Sequence, residues 1–253
     1  MRQLTLIALE GLPEIEAGAP LARLLIGAAE RAGSTLQSGD VLVIAQKIIS
    51  KAEGRRVALR DVTPGERATE LARIVQKDPR LVELMLQESQ EVVRAKPGVL
   101  ILEHRLGFIM ANAGVDRSNV GPSDEACALL LPEDPDASAR ALRLALRELR
   151  YLEVGVIVND SFGRAWRNGV AGVAIGVAGV PALVDMRGRA DRQRRPLEVT
   201  QIAAADELAA AASVLMGQAD ESVPAVLVRG SPYAPRESSA RELVRPRAED
   251  LFR

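Results

Sequence analysis

The chain has 253 residues, 47% hydrophobic and 26% charged, with a formal net charge of -1. That is globular composition with material for a substantial core; it excludes a nucleic-acid binder, which needs a strong positive field, and no apolar stretch reaches membrane-spanning length. One cysteine, Cys127, excludes an intrachain disulfide or a cysteine metal cluster, and one histidine, His104, argues against zinc sites built from several imidazoles and leaves a Ser-His-Asp hydrolase only if His104 is its base.

Near the N-terminus, Arg2 precedes no long apolar region and no small-residue cleavage site, so no signal peptide is read there and a cytoplasmic protein is expected. Residues 4–9 read as a first strand, and the Leu21 to Ala32 stretch has helical spacing that Gly33 stops. Val41 to Ala45 is an almost wholly apolar run, as expected of a strand buried on both faces. Gln46, Lys47, Ser50, Lys51 and Glu53 follow it directly. Lysines where a buried strand emerges suit a phosphorylated ligand, and equally a solvated rim beside Glu53.

Thr63-Pro64-Gly65-Glu66 reads as a helix start with Thr63 as cap and Pro64 at the first helical position, running to about Lys77. Asp78-Pro79 repeats the signal, and Leu81, Val82, Met85 and Leu86 form the apolar face of a second helix, with Glu83, Glu88 and Glu91 read as its wet face. Val99 to Leu102 is a strand. Ala111 to Val120 then alternates small residues with Asn112, Asp116, Ser118 and Asn119. Such oxygens are what a hard cation such as magnesium wants, although one Asp beside Ser and Asn also makes an Asx turn.

Asp134 caps a helix in which Leu142, Ala145, Leu146 and Leu149 oppose a row of arginines, an amphipathic surface pattern. Val154 to Val158 is the next strand. It delivers Asn159-Asp160-Ser161-Phe162-Gly163-Arg164-Ala165-Trp166-Arg167-Asn168-Gly169 to a sheet edge, read as a site at a strand end or as a solvated turn. The glycines from Gly169 to Gly179 permit close approach by a ligand, a strand or a second subunit, and fit neither a Walker loop nor a dinucleotide fingerprint. Pro181 to Met186 reads as a strand, Arg187 to Arg195 as a basic loop, Thr200 to Met216 as a helix and Ala225 to Val228 as a final strand. The chain from Ser231 onward reads as a peripheral tail (231–253) behind a domain spanning 1–230.

Three of these stretches together resemble the coenzyme F420-0:L-glutamate ligase family, the gamma-glutamyl ligases of deazaflavin cofactor synthesis. They are Gly39 to Gly54, Ala111 to Val120 and Asp160 to Gly169; the Ala205 to Ala209 helix and the end from Val223 to Gly230 also look like the family. The resemblance implies a mixed α/β, α+β-like fold of two intertwined regions, distinct from ATP-grasp, P-loop and Rossmann folds, and a homodimer. It implies GTP as co-substrate, magnesium or manganese, and potassium in some members. The implied reaction joins L-glutamate to the lactyl carboxylate of F420-0 through an acyl phosphate and then adds a gamma-linked glutamate. A related acidic acceptor, or a nucleotide- or deazaflavin-binding protein without ligase activity, is the alternative.

Carried onto this chain, the resemblance makes Asp116, Asp160 and Ser161 metal ligands, with Glu221 at a second metal position. It makes Leu12, Pro13, Glu14, Ile15, Gln46, Lys47, Lys51, Asn119, Gly217, Gln218 and Glu221 nucleotide contacts. Asp116, Asp160, Lys51 and Arg164 carry catalysis, and Arg164, Arg167 and Arg187 are candidates for holding the acidic precursor or glutamate. Ala165 stands where the family commonly has proline, and Arg194 where it often has glycine.

Overall fold

The computed structural model describes residues 3–117 and 126–250. The expected mixed α/β architecture is present. The central sheet has the order β1 (Thr5–Ala8), β12 (Ala225–Arg229), β2 (Val41–Ala45), β8 (Gly155–Arg164) and β9 (Arg167–Ala178), in which only β2 and β8 run parallel. The apolar run in β2 divides between two cores. Leu42 and Ile44 face α1 (Leu21–Arg31) and α5 (Pro135–Arg150), whereas Val41 and Val43 face α6 (Ala204–Met216). Burial on both faces is the physical reason that the strand has no polar residue.

Between α2 (Gln46–Ala52) and α5 the chain builds a second region. Here α3 (Glu66–Val75) and α4 (Pro79–Gln87) share a core with an antiparallel sheet of β4 (Ser89–Lys96), β5 (Val99–His104) and β6 (Ile109–Ala111). A ribbon of β3 (Arg56–Ala58) and β7 (Cys127–Leu129) joins it to the rest. The two regions interlock: Phe108 and Met110 enter the main core, and the Phe108 ring meets Phe162 of β8 edge to face at 6.0 Å. A small ribbon of β10 (Val184–Asp185) and β11 (Gln201–Ile202) completes the strands; the strand expected over Pro181 to Met186 shrinks to two residues.

Several local expectations are corrected. Thr63 does not cap α3; Gly65 precedes its first turn, and the Gly65 N–H donates to Glu83 Oε2 at 2.9 Å, so a carboxylate from the neighbouring helix replaces the local cap. Glu88 and Glu91 do not continue the face of α4, because the chain leaves the helix at Gln87 and enters β4. Glu88 is instead a junction, 2.9 Å from Arg55 and 3.1 Å from Arg105. Burial pushes its carboxyl up, but His104, Arg55 and Arg105 outweigh that and hold it at about 2. His104 is fully buried there; its Nδ1 accepts from the Leu106 N–H at 3.1 Å, leaving the Nε2 proton towards Glu88 Oε2 at 3.4 Å. The expected caps Asp78 and Asp134 are both present.

The segment after β12, read as a peripheral tail, is fastened to the body. Ser238 Oγ donates to the Val180 carbonyl at 2.6 Å, the Ala240 N–H donates to Asp136 Oδ1 at 3.0 Å, and Ala240 is buried.

The Asn159 to Gly169 motif is not a strand end. β8 continues through Asp160 and Ser161 to Arg164, and the glycine-rich run is its antiparallel partner β9. Two of its glycines lie under helices: a Cβ on Gly172 would sit 2.5 Å from the Ala209 carbonyl oxygen, and one on Gly176 would sit 2.3 Å from that of Pro135. Gly176→Ala is therefore expected to destabilise the protein by about 1–3 kcal/mol in urea denaturation, the usual cost of overpacking. Gly163→Ala, with open space around it, is the control expected to change little.

Candidate functional site

The parallel pairing of β2 with β8 stops at Ala45 and Asn159, where β2 ends and β8 runs on. Beyond those residues lies a cavity of about 640 Å³, the position where open α/β sheets receive ligands. Ala45, Gln46 and Lys47 reach it from β2 and the start of α2, and Asn159, Asp160 and Ser161 from β8. Leu12 to Ile15, Lys51, Asp116 and the Met216 to Gln218 turn form further walls.

Asp116 comes from the second region. It follows a tight turn in which Asn112, Ala113 and Gly114 all have positive φ (56°, 51° and 69°), and its backbone is clamped to Leu129 by two hydrogen bonds of 3.0 and 2.8 Å. The turn leaves Gly114 no room for a side chain: a Cβ would lie 2.6 Å from Leu131. Asp116 Oδ2 pairs with Lys47 Nζ at 2.6 Å, across from the main region. Lys51 Nζ pairs with Glu14 Oε1 at 2.5 Å, tying the Leu12 to Ile15 loop to α2.

Asp160 is the strained charge of this group. Burial pushes its carboxyl up to about 6, and the nearby Asp116 carboxylate adds to that, against the Ser161 N–H, which donates to Asp160 Oδ1 at 2.8 Å, and the Lys47 ammonium. Two carboxylates press on each other and on one lysine in the cleft, the arrangement that attracts a cation or a cation-bearing phosphate. Asn159 is buried beside them with its Oδ1 unpartnered and its Nδ2 3.4 Å from Met216 Sδ.

Of the residues proposed from the sequence, the cavity gathers Leu12, Pro13, Glu14, Ile15, Gln46, Lys47, Lys51, Asp116, Asp160, Ser161, Gly217 and Gln218. Arg164 is not among them; it lies at the hairpin tip, its guanidinium 3.4 Å from the Asn168 carbonyl. Glu221 is also outside the lining. Its carboxylate accepts from the Ala219 N–H at 2.8 Å and covers Gly217, and these backbone donors hold its carboxyl below the usual range. Arg187 is engaged by Asp185 at 2.5 Å. Asn119 and Ser118 fall outside the described residues, and His104 lies in the second core rather than in the cleft. Among the described residues no group of three or more His, Cys, Asp or Glu is arranged around a metal position. Asn159, Val170 and Met216 line the cavity without having been assigned a role. Asn159 was signalled only by its place, a polar residue closing an apolar strand just before Asp160.

These features define a mixed α/β protein with a polar, small-molecule-sized cleft at the end of its parallel strand pairing, in which acidic and basic side chains face one another. The chain belongs to the F420-0:gamma-glutamyl ligase family, whose sequence pattern matches residues 11–230. It is 46% identical over 252 residues to the coenzyme F420:L-glutamate ligase of Methanothermobacter thermautotrophicus, covering 99% of each chain. It is 46% identical over 244 residues to that of Methanopyrus kandleri, covering 95% of this chain and 94% of the relative. Over 244 residues it is 44% identical to that of Archaeoglobus fulgidus, with 96% and 94% covered. No helix among the described residues is long and apolar enough to cross a membrane.

The Asp160 shift gives a test without substrate. Its folded carboxyl titrates near 6 against an ordinary 3.8, so between those values the folded state binds the proton more tightly. Stability from this group is therefore greatest below about pH 4 and falls as pH rises through about 6. Asp160→Asn keeps an oxygen for the Ser161 N–H and removes the charge. In urea denaturation at pH 7.5 it is expected to be more stable than the parent by on the order of 2–3 kcal/mol, at about 1.4 kcal/mol per pKa unit, with the difference gone at pH 4. Equal stability at both pH values would remove the strained-charge assignment.

Proposed function

We propose that the chain is a GTP- and divalent-cation-dependent ligase that joins L-glutamate to the lactyl carboxylate of coenzyme F420-0 and then adds a second glutamate through its gamma-carboxylate. The observation that carries this reading is the meeting of Asp116, Asp160 and Ser161 with Lys47 and Lys51 around one cavity, in a chain whose relatives bear the name coenzyme F420:L-glutamate ligase.

The donor set suits a hard cation. Two carboxylates and a hydroxyl are oxygen ligands, Asp160 is a half-buried acid whose ionisation a cation favours, and magnesium commonly takes one or two carboxylates and completes its shell with substrate phosphates and water. Held by Asp116, Asp160 and Ser161, magnesium or manganese supplies charge that neutralises phosphoryl oxygens. In this reading Lys51 and the Leu12 to Ile15 and Gly217 to Val223 segments hold the nucleotide, and Lys47 turns from Asp116 to the phosphates as they arrive.

The acceptor's carboxylate oxygen attacks the γ-phosphorus, the bond to the β-phosphate oxygen breaks, and GDP and an acyl phosphate result. The glutamate amine attacks the acyl carbon, the carbon–oxygen bond to phosphate breaks, and the amine proton passes to solvent or phosphate. Phosphate is a good leaving group, so the step requires no histidine, consistent with the burial of His104 in the other core. The reading includes a homodimer and a cytoplasmic location.

The test is a product mass spectrum after incubation with F420-0, L-glutamate, GTP and magnesium or manganese. One glutamyl increment dependent on GTP and metal is expected, with a second on longer incubation. Asp116→Asn and Asp160→Asn should each lose activity about a hundredfold or more, the scale for removing one preorganised electrostatic group, while remaining folded. An increment without GTP, or full activity in both variants, would reject the reading.

A further inference from the structure

The chain passes between the main region and the second region twice, outward after α2 and back between β7 and α5. One carboxylate stands between the two crossings. Glu88, the residue after α4, accepts from Arg55 of the outward crossing at 2.9 Å and from Arg105, in the turn after β5, at 3.1 Å. Each arginine then reaches on to the returning chain. Arg55 Nε donates to the Leu131 carbonyl at 2.9 Å, and Arg105 Nη1 donates to that of Glu133 at 2.8 Å. Two guanidiniums thus bridge a single carboxylate to two neighbouring carbonyls of the chain coming back.

This clasp leads to the cleft by short steps. The Arg55 N–H donates to the Ser50 carbonyl of α2 at 2.9 Å, and its carbonyl accepts from the Leu130 N–H at 3.1 Å. Lys47 stands in the first turn of the same α2. Leu131 packs on Gly114 in the turn before Asp116, and Leu129 clamps the Asp116 backbone through two hydrogen bonds. Lys47 and Asp116 are therefore carried by the two segments that Glu88 ties together. Arg105 belongs to the turn in which the His104 N–H donates to the Phe108 carbonyl at 2.8 Å, and Phe108 docks against Phe162.

Stability alone is a poor account of the cluster. The Glu88 side chain is 12% exposed and both arginines are partly buried. Ion pairs so enclosed gain little over apolar groups of the same shape, because the charges lose their water. What they supply is direction, since a guanidinium donates in a fixed plane and a carboxylate between two of them orients both. The contacts of Phe108 and Met110 press the two regions together; the clasp sets where the crossing segments lie within that docking. We propose that Glu88 is a positioning residue whose carboxylate, through Arg55 and Arg105, sets the distance at which Asp116 faces Asp160 and Lys47. The inference rests on the reading above, in which Asp116 and Asp160 hold the cation.

Mn2+ binding to the free protein, followed by electron paramagnetic resonance of the unbound ion, reads that geometry without turnover. The value of kcat with F420-0, GTP and magnesium reads it in the reaction. Glu88→Gln is expected to weaken Mn2+ binding and to lower kcat, each about tenfold, the low end of what the partners of metal ligands contribute. Arg105→Lys keeps the charge but lacks the fork that joins Glu88 to Glu133, and is expected to lose part of the same affinity. The double variant should be no worse than Glu88→Gln, because the two residues act as one unit. Val75→Ala, in the buried core of the second region, is the control: it should lower the thermal midpoint and leave both readouts unchanged. Losses in Val75→Ala that follow the midpoint as those of Glu88→Gln do would make the clasp merely structural and overturn the proposal. Parent-like Mn2+ affinity and kcat in folded Glu88→Gln and Arg105→Lys proteins would overturn it as well and leave the ligase reading standing. Where Glu88→Gln does not fold, Arg105→Lys decides by the same criteria. A parent that binds Mn2+ but forms no product, with weaker binding in Glu88→Gln, would keep the clasp and reject the ligase reading. A parent that binds no Mn2+ would overturn both the role of Asp116 and that of the clasp.

Discussion

One extra residue in β9 sets the direction in which β8 carries its functional side chains. Val158 pairs with Gly176 but Asn159 pairs with Ala174, so Ile175 is the additional residue of a bulge. A bulge frees backbone groups from the ladder and twists the strand pair. Here two helices take up the adjacent N–H groups from opposite faces of the sheet. Asp136 of α5 accepts from Val177 at 2.8 Å, and Asp206 of α6 accepts from Ala174 at 2.9 Å. Asp136 is buried and Asp206 half-buried, and desolvation pushes the Asp206 carboxyl up against the hydrogen bond from Ala174 that draws it down. Glycines at 172 and 176 let the helices come close enough to do this. Asn159, Asp160 and Ser161 follow the bulge immediately, so their placement depends on an irregularity that α5 and α6 lock in place.

The other half of the constellation arrives by a different route. Asp116 belongs to the second region, and its approach to Asp160 requires the two regions to dock. The Phe108–Phe162 edge contact and the entry of Met110 into the main core fix that docking. The Lys47–Asp116 pair spans the same seam. Its two side chains are each about one-third exposed, and an ion pair in that setting contributes little to stability. The apolar contacts therefore position the carboxylate, and the ion pair's effect is electrostatic. It places one positive charge among two negative ones in a site where burial already disfavours ionisation of Asp160.

The parts of this arrangement that were legible in the sequence are those set by local chemistry. The apolar run of β2 announces burial on both faces, Asp78 and Asp134 announce their helices, and two oxygen-rich stretches announce a polar site. What was not legible depends on partners far along the chain. Thr63-Pro64 is a good local start, but Glu83 on the next helix takes the Gly65 N–H. Glu88 looks like a surface residue until Arg55 and Arg105 are brought to it. The motif around Asp160 reads as a strand end or a turn because the run that follows it is rich in glycine, a residue depleted in strands. The reason for the glycines, helices pressing on both faces of β9, exists only in three dimensions. The contacts of the C-terminal segment are of the same kind: its charge suggests solvent, yet Ser238, Ser239 and Ala240 bond to Val180, Ala182 and Asp136.

That last set of contacts links the far end of the described chain to the site. Asp136 uses one oxygen for Val177 and Ala240 together and the other for the Ser239 hydroxyl, at 2.5 Å. The carboxylate that secures the β9 bulge is thus itself held by the segment after β12. A buried acid with both oxygens engaged costs far less than one left unsatisfied. Loosening the C-terminal segment would leave Asp136 under-bonded, weaken its hold on Val177 and relax the bulge that aims Asp160. The C-terminal segment contributes no residue to the cleft, yet it supports the residue on which the direction of β8 depends.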